Sequence, residues 1–328
     1  MGRNSFENQK YMRDFTVDTY NKLIKTLQQQ GFKLSGYSEF HRNCEKTARI
    51  ALRYDIDALK ENSLQVAKIQ HRMGITGCYY FRIVPQSFDQ KIIEEIYSLG
   101  HEIGYHYEDV SLAARKRQAS GVRLQEEELV RLAIKSFENN LEKLRKLVPV
   151  KTICMHGSPM NRWDSRLLWK YYDYHDFGID AEPYFDINFE NILYLTDTGR
   201  RWNGSSVNIR DKATGKRQGI SGSKKLERGL DGEVTIPDKY SDWKVKPIQG
   251  SLMNMTQKST DFQNKYKFRS TSDIIRATES GELPDMMMVT FHPQRWNDRS
   301  VLWVKELVWQ NIKNLGKYFL IKVRRSGY

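Results

Sequence analysis

Residues 48–57, ARIALRYDID, decide how the rest of the chain is read: an apolar run that ends in two carboxylates, Asp55 and Asp57. Such a run reads as a buried strand. A helix at 60–73 follows, with Leu64, Ala67, Ile69 and Met73 at helical spacing and Gly74 as its stop. GCYYFRIV (77–84) is the next strand, 88–100 a short helix capped by Gly100, and HEIGYHYE (101–108) a third strand. A long amphipathic helix at 126–148, a strand at 150–159 (VKTICMHGSP) and a helix at 164–173 continue the order. Strands alternating with helices in this way predict parallel pairing through helical crossovers. HDFGIDAE (175–182), NILYLTDT (191–198) and MMMVTFHP (286–293) add strands, and a helix at 301–321 closes the chain. About seven strands in this length favour a β/α barrel over an open sheet.

Two segments stand apart. Residues 1–47 read as a helical lead-in, with Phe15, Tyr20, Leu23, Ile24 and Leu27 on one face of a helix at 11–30 and Gly31 ending it. Residues 203–270 are rich in Gly, Ser, Lys and Asn with weak periodicity, which predicts a large irregular insertion near the site mouth. The barrel then spans 48–328.

The composition, 39% hydrophobic and 28% charged over 328 residues, is that of a globular protein with ample core material. No stretch approaches the ~20 apolar residues of a membrane helix, and the start MGRNSFENQK lacks the apolar core of a signal peptide. Cys44, Cys78 and Cys154 match no zinc spacing and make no disulfide framework, which suits a reducing cytoplasm. The net charge is +13, and residues 201–270 carry 15 Lys and Arg against 7 Asp and Glu. A basic surface favours anionic partners such as phosphates. With no recognised nucleic-acid module, nucleic acid is not expected as one.

The strand ends carry the chemistry. The first finishes in Arg53-Tyr54-Asp55-Ile56-Asp57 and the third in Tyr105-His106-Tyr107-Glu108-Asp109. Another ends in His156-Gly157-Ser158-Pro159, and a late one in Thr290-Phe291-His292-Pro293. In a β/α barrel the C-terminal rim gathers the catalytic residues. Alternation along a strand puts Asp55 and Asp57 on one side. Two carboxylates so close repel each other, and a cation resolves the conflict. One Asp can ligate the ion while the other orients or deprotonates water, and carboxylate with imidazole suits zinc or another first-row divalent metal. His106 is the best imidazole ligand and His292 suits a general acid. His156 is a candidate ligand, acid or substrate contact. His101, at the other end of its strand, reads as structural.

The set resembles the polysaccharide deacetylase superfamily, also called carbohydrate esterase family four. Leu52-Arg53-Tyr54-Asp55-Ile56-Asp57 is similar to its acidic motif in the LRxDVD form of its sugar-lipid deformylase branch. Gly100-His101-Glu102-Ile103-Gly104-Tyr105-His106 matches the first part of its GHEIGxH motif, and Val289-Thr290-Phe291-His292 its last strand. The resemblance covers about residues 48–300 and implies a distorted (β/α)7 barrel with a divalent metal, most simply zinc. It implies Asp55 as base, Asp57 and His106 as ligands, and His292 as acid. The family's second metal histidine falls on Val110, which cannot ligate, so Glu108, Asp109 and His156 stand as candidates for a third ligand. The run HGSP replaces the usual Arg-x-Pro. The activity implied is N-deacetylation of an amino sugar in bacterial surface-polysaccharide synthesis. The alternatives are deformylation of a nucleotide- or lipid-linked sugar, or a barrel that binds glycan without hydrolysis. Arg53, His156, Ser158, Arg295 and Trp296 are candidates for substrate contact, with Trp163, Tyr184 and Trp202 as further aromatic platforms for sugar rings.

Overall fold

The computed structural model describes residues 13–43, 47–119, 125–157, 163–202 and 257–326. Ser158, Cys44 and residues 203–256 of the expected insertion lie outside these. The described elements are α1 (Val17–Gln29), β1 (Lys33–Ser35), α2 (Tyr37–Arg42), β2 (Arg49–Ile56), α3 (Lys60–Arg72), β3 (Cys78–Phe81), α4 (Gln90–Ser98), β4 (Glu102–Tyr107), α5 (Asp109–Ala119), α6 (Glu126–Arg145) and β5 (Ile153–Met155). They continue as α7 (Pro183–Asp186), β6 (Leu193–Thr196), α8 (Gln257–Asn264), α9 (Thr271–Glu279), β7 (Met286–Phe291) and α10 (Ser300–Ser326).

All the strand pairs are parallel, in the order β5-β4-β3-β2-β7-β6, with β1 against the start of β2. β5 and β6, at the two ends of this path, do not pair with each other. The sheet is therefore a curled half-barrel, consistent with a partial β/α barrel. Two apolar clusters follow from the curl. The larger lies between the sheet and its helices and takes Leu52, Tyr54, Tyr79, Ile103, Tyr105, Val289 and Phe291 from the strands. The smaller, with Ala51, Cys78, Tyr80, Cys154 and Met288, fills the concave face. Both faces of the strands are buried, which explains their near-continuous apolar runs.

Several expectations are corrected. The segment 175–182 is not a strand: Tyr174–Phe177 form a 3-10 turn, because the Asp173 side chain caps His175 N and Gly178 turns left-handed (φ 66°). Only Ala181 bridges the sheet, beside Thr152. The seventh strand is instead β1, so the lead-in at 1–47 contributes to the sheet as well as supplying α1. The helix read at 164–173 is a 3-10 helix, Ser165–Lys170.

Five helices were not anticipated: α2, α5, α7, α8 and α9. A reciprocal capping box between Ser270 and Asp273 starts α9. The tail of the 203–270 segment is thus ordered structure. From α8, Gln263 accepts Tyr194 N (2.9 Å) and donates to Phe189 O and Ile192 O, covering backbone at the outer edge of β6.

Candidate metal centre

The inward side chains come at two-residue steps: Arg53 and Asp55 on β2, Gly104 and His106 on β4, and Thr290 on β7. Asp57, Glu108, His156 and His292 extend the same rows just past the strand ends. Register then aligns them, with Asp55 opposite Tyr80, Tyr80 opposite Gly104, and His106 opposite Cys154. Gly104 is required by close approach. A Cβ there would stand 2.3 Å from Tyr80 Cε1, so any side chain would displace the ring beneath the site.

Asp57, His106 and His156 converge. Their donor atoms lie within 4.8 Å of one another, a grouping that could hold a metal ion. Asp57 Oδ1 is 3.6 Å from His106 Nε2 and 3.4 Å from His156 Nε2. The other ring nitrogens fix the tautomers. His106 Nδ1 faces the Cys154 carbonyl oxygen at 2.9 Å, and His156 Nδ1 faces Glu108 Oε2 at 3.1 Å. Both partners can only accept, so each Nδ1 carries the proton and, in the neutral ring, each Nε2 presents a lone pair. Burial pushes the His156 imidazolium down in pKa, against the pull of Asp57, which favours its neutral form. Asp57 Oδ1 is buried with no hydrogen-bond partner among the described residues. With both rings in their neutral form, two lone pairs and a carboxylate oxygen face one another, an arrangement that a cation relieves.

Glu108 braces His156 from behind rather than joining the group. Its carboxylate pairs with Arg82 through one oxygen and receives His156 Nδ1 on the other. Burial pushes it up, but His156 and Arg82 outweigh burial and hold it at about 2. Asp109, the other carboxylate considered, is turned away. It accepts from Tyr105 Oη (2.6 Å), Ser136 Oγ (2.7 Å) and Asn140 Nδ2 (2.8 Å) behind the sheet, and burial raises it to about 6. Val110 is buried in the outer apolar cluster and offers no donor.

A second grouping, Asp55, His106 and Cys154, also lies within that span. It is the weaker one chemically. Burial pushes the Cys154 thiol well up, away from the thiolate that ligates, and Asp55 is already clasped by Arg53. That clasp is bidentate, Nε to Oδ1 at 2.8 Å and Nη2 to Oδ2 at 2.6 Å, with Arg53 1% exposed. Burial pushes Asp55 up, but Arg53, then His106 and His292, outweigh it and keep its carboxyl below the ordinary value. Asp55 Oδ2 lies 3.7 Å from His106 Nε2, beside the triad without joining it. For Asp57, burial is likewise outweighed, by His156, His106 and His292. Its side chain is 25% exposed, although Oδ1 itself is buried.

His292 faces the same space, with Nε2 3.9 Å from Asp57 Oδ2. Behind it stands Asp197, fully buried at the end of β6. Its Oδ1 contacts His292 Nδ1 (2.5 Å) and Arg295 Nη1 (2.7 Å), while its Oδ2 accepts His292 N (2.9 Å) and Trp296 Nε1 (2.7 Å). Burial pushes Asp197 up, and His292 with Arg295 more than compensates. Arg295 and Trp296, read as substrate contacts, are buried and put these donors on Asp197. Trp202 is also buried, donating to Thr271 Oγ1, so it is packing rather than an exposed platform. Trp163 and Tyr184 are half-buried, and Tyr184 lies between the guanidiniums of Arg53 and Arg166.

Asp197, Glu108 as support, and Arg82 are the residues that sequence reasoning missed or misassigned. Asp197 carried a usable signal, since NILYLTDT is one more apolar strand ending in a carboxylate. His101 is structural as expected: Nδ1 accepts Gly77 N and Nε2 donates to Ala67 O. A separate cavity of about 310 Å³ opens at the start of β4 among Ser38, Arg42, His101 and Glu102, away from Asp55, Asp57, His106, His156 and His292. Compared with models of known families, with curated proteins and with solved structures, the chain matches none.

Proposed function

We propose that the protein is a metal-dependent amide hydrolase, with N-deacetylation of an amino sugar as its reaction. The observation that carries this reading is the convergence of Asp57 Oδ1 with the Nε2 atoms of His106 and His156, each imidazole oriented from behind. Two imidazoles and a carboxylate converging on one point suit zinc or a similar divalent ion. Such an ion would supply Lewis acidity toward an acyl carbonyl and water.

The chain's own groups take the remaining roles. Asp55, held ionised by Arg53, accepts a proton from the attacking water. His292 faces the site through Nε2 and donates a proton to the departing amine. Asp197 fixes the tilt of that ring. The acidic motif resembling the deacetylase superfamily supports the choice of an amide bond. His156 answers the objection raised by Val110, because it brings an imidazole in place of the one that the family pattern has there and this chain lacks. That weakens the case for a glycan-binding barrel without chemistry.

The experiment is metal analysis of protein purified without chelator, followed by turnover assays on N-acetylated and N-formylated sugars. About one equivalent of a first-row divalent metal is expected. Asp55→Asn should lower turnover by about a thousandfold with metal content unchanged. Metal below about one tenth of an equivalent, or undiminished turnover in Asp55→Asn, overturns the reading.

A further inference from the structure

Helix α10 has its polarity reversed. The face it turns to the body of the protein is largely polar: Gln310 and Asn314 are buried, with Asn314 Nδ2 donating to Gly199 O at 3.0 Å. Trp303 Nε1 donates to Asp14 O at 2.7 Å, and the Arg200 guanidinium stands 4.6 Å from the Trp303 ring. A Cβ at Gly199 would collide with the Asn314 side chain, so this docking sets how α10 is rotated. The opposite face carries Val301, Leu302, Val304, Val308, Trp309, Ile312 and Leu315, each between 41% and 79% exposed. On a wheel of 3.6 residues per turn these occupy an arc of about 160°. Through Leu315, Lys305 is the one polar residue inside that arc.

The width and the charge of this face say what covers it. A coiled-coil seam is a narrow stripe, whereas this arc is broad enough to lie on an apolar slab. Residues 300–326 hold Lys305, Lys313, Lys317, Lys322, Arg324 and Arg325 against the single acid Glu306. A second copy would meet like charge, while anionic headgroups meet opposite charge. No described helix, α10 included, is long and apolar enough to cross a membrane. We infer that α10 is a membrane-surface helix: its exposed apolar arc sinks into the interface of a bilayer whose anionic headgroups pair with Lys305 and Lys313.

Flotation of the full chain with vesicles tests this. Vesicles of equal parts phosphatidylcholine and phosphatidylglycerol should carry the protein up the gradient. Phosphatidylcholine alone should not, and added salt should weaken the binding. Val308→Glu with Ile312→Glu, both at exposed positions, should lower apparent affinity at least about tenfold with the circular dichroism spectrum unchanged. Lys305→Glu with Lys313→Glu should weaken binding while leaving the apolar arc intact. Failure to float with the anionic vesicles overturns the inference, as does undiminished flotation of both double variants. A dimer in sedimentation, broken by the Val308 and Ile312 substitutions in a protein that ignores vesicles, would assign the face to a second copy and also overturn it.

Discussion

Asp197 holds His292 from two directions: Oδ1 stands 2.5 Å from ring Nδ1, and Oδ2 accepts the His292 backbone N–H at 2.9 Å. The ring and its own backbone are thus tied to one carboxylate, which leaves Nε2 aimed at the site. Asp197→Asn replaces an acceptor-only group with one that cannot accept from all of these donors. Turnover should fall by about a hundredfold with metal content unchanged. Parallel assays of rate and bound metal check this, and wild-type turnover would remove Asp197 from any positioning role.

Glu108 and His156 make a separable pair. His156→Ala deletes a donor atom, whereas Glu108→Gln keeps the ligand and weakens its orientation. Zinc affinity, measured by competition with a chromophoric chelator, should fall about ten- to a hundredfold in Glu108→Gln and further in His156→Ala. Equal affinities in all three proteins would show that the ion, if bound, sits elsewhere.

Asp109 gives a pH signature with a definite sign. Its folded carboxyl is raised from 3.8 to about 6 by burial, so the folded state holds the proton more tightly than the unfolded one. Its contribution is therefore full below pH 3.8 and is lost as pH rises toward about 6, on the order of 3 kcal/mol. Asp109→Asn should flatten the dependence of the melting midpoint on pH across that window and raise the midpoint at neutral pH, with zinc affinity unchanged. Loss of metal in this variant would return Asp109 to the ligand set.

Gly104→Ala tests close approach beneath the site. The added methyl would meet the Tyr80 ring at 2.3 Å, and Tyr80 Oη in turn donates to Thr152 at 3.0 Å. Overpacking of this kind costs about 1–3 kcal/mol or more. Urea denaturation should show it, and zinc affinity should fall as well, because His106 lies two residues along the same strand. Unchanged stability would mean that the ring has room to move.

The strand-and-helix alternation, the parallel pairing and the strand-end residues Asp55, Asp57, His106, His156 and His292 can be read from the chain alone. These were legible because a buried strand is a local apolar run and its polar end is written beside it. Alternation also placed Arg53 and Asp55 on one face. The remainder depends on contacts between distant segments. β1 is three residues long, too short for periodicity to register, and only its pairing with β2 makes it a strand. The segment 175–182 has strand composition, but the cap from Asp173 and the left-handed Gly178 turn it aside. The choice among Glu108, Asp109 and His156 was invisible in the chain, since all three sit at or just past a strand end. It turns on which face each side chain meets: Asp109 finds Tyr105, Ser136 and Asn140 behind the sheet, while His156 is steered into the site by Glu108, 48 residues away. Long-range partners of that kind leave no local pattern, and so only the assembled fold could choose between them.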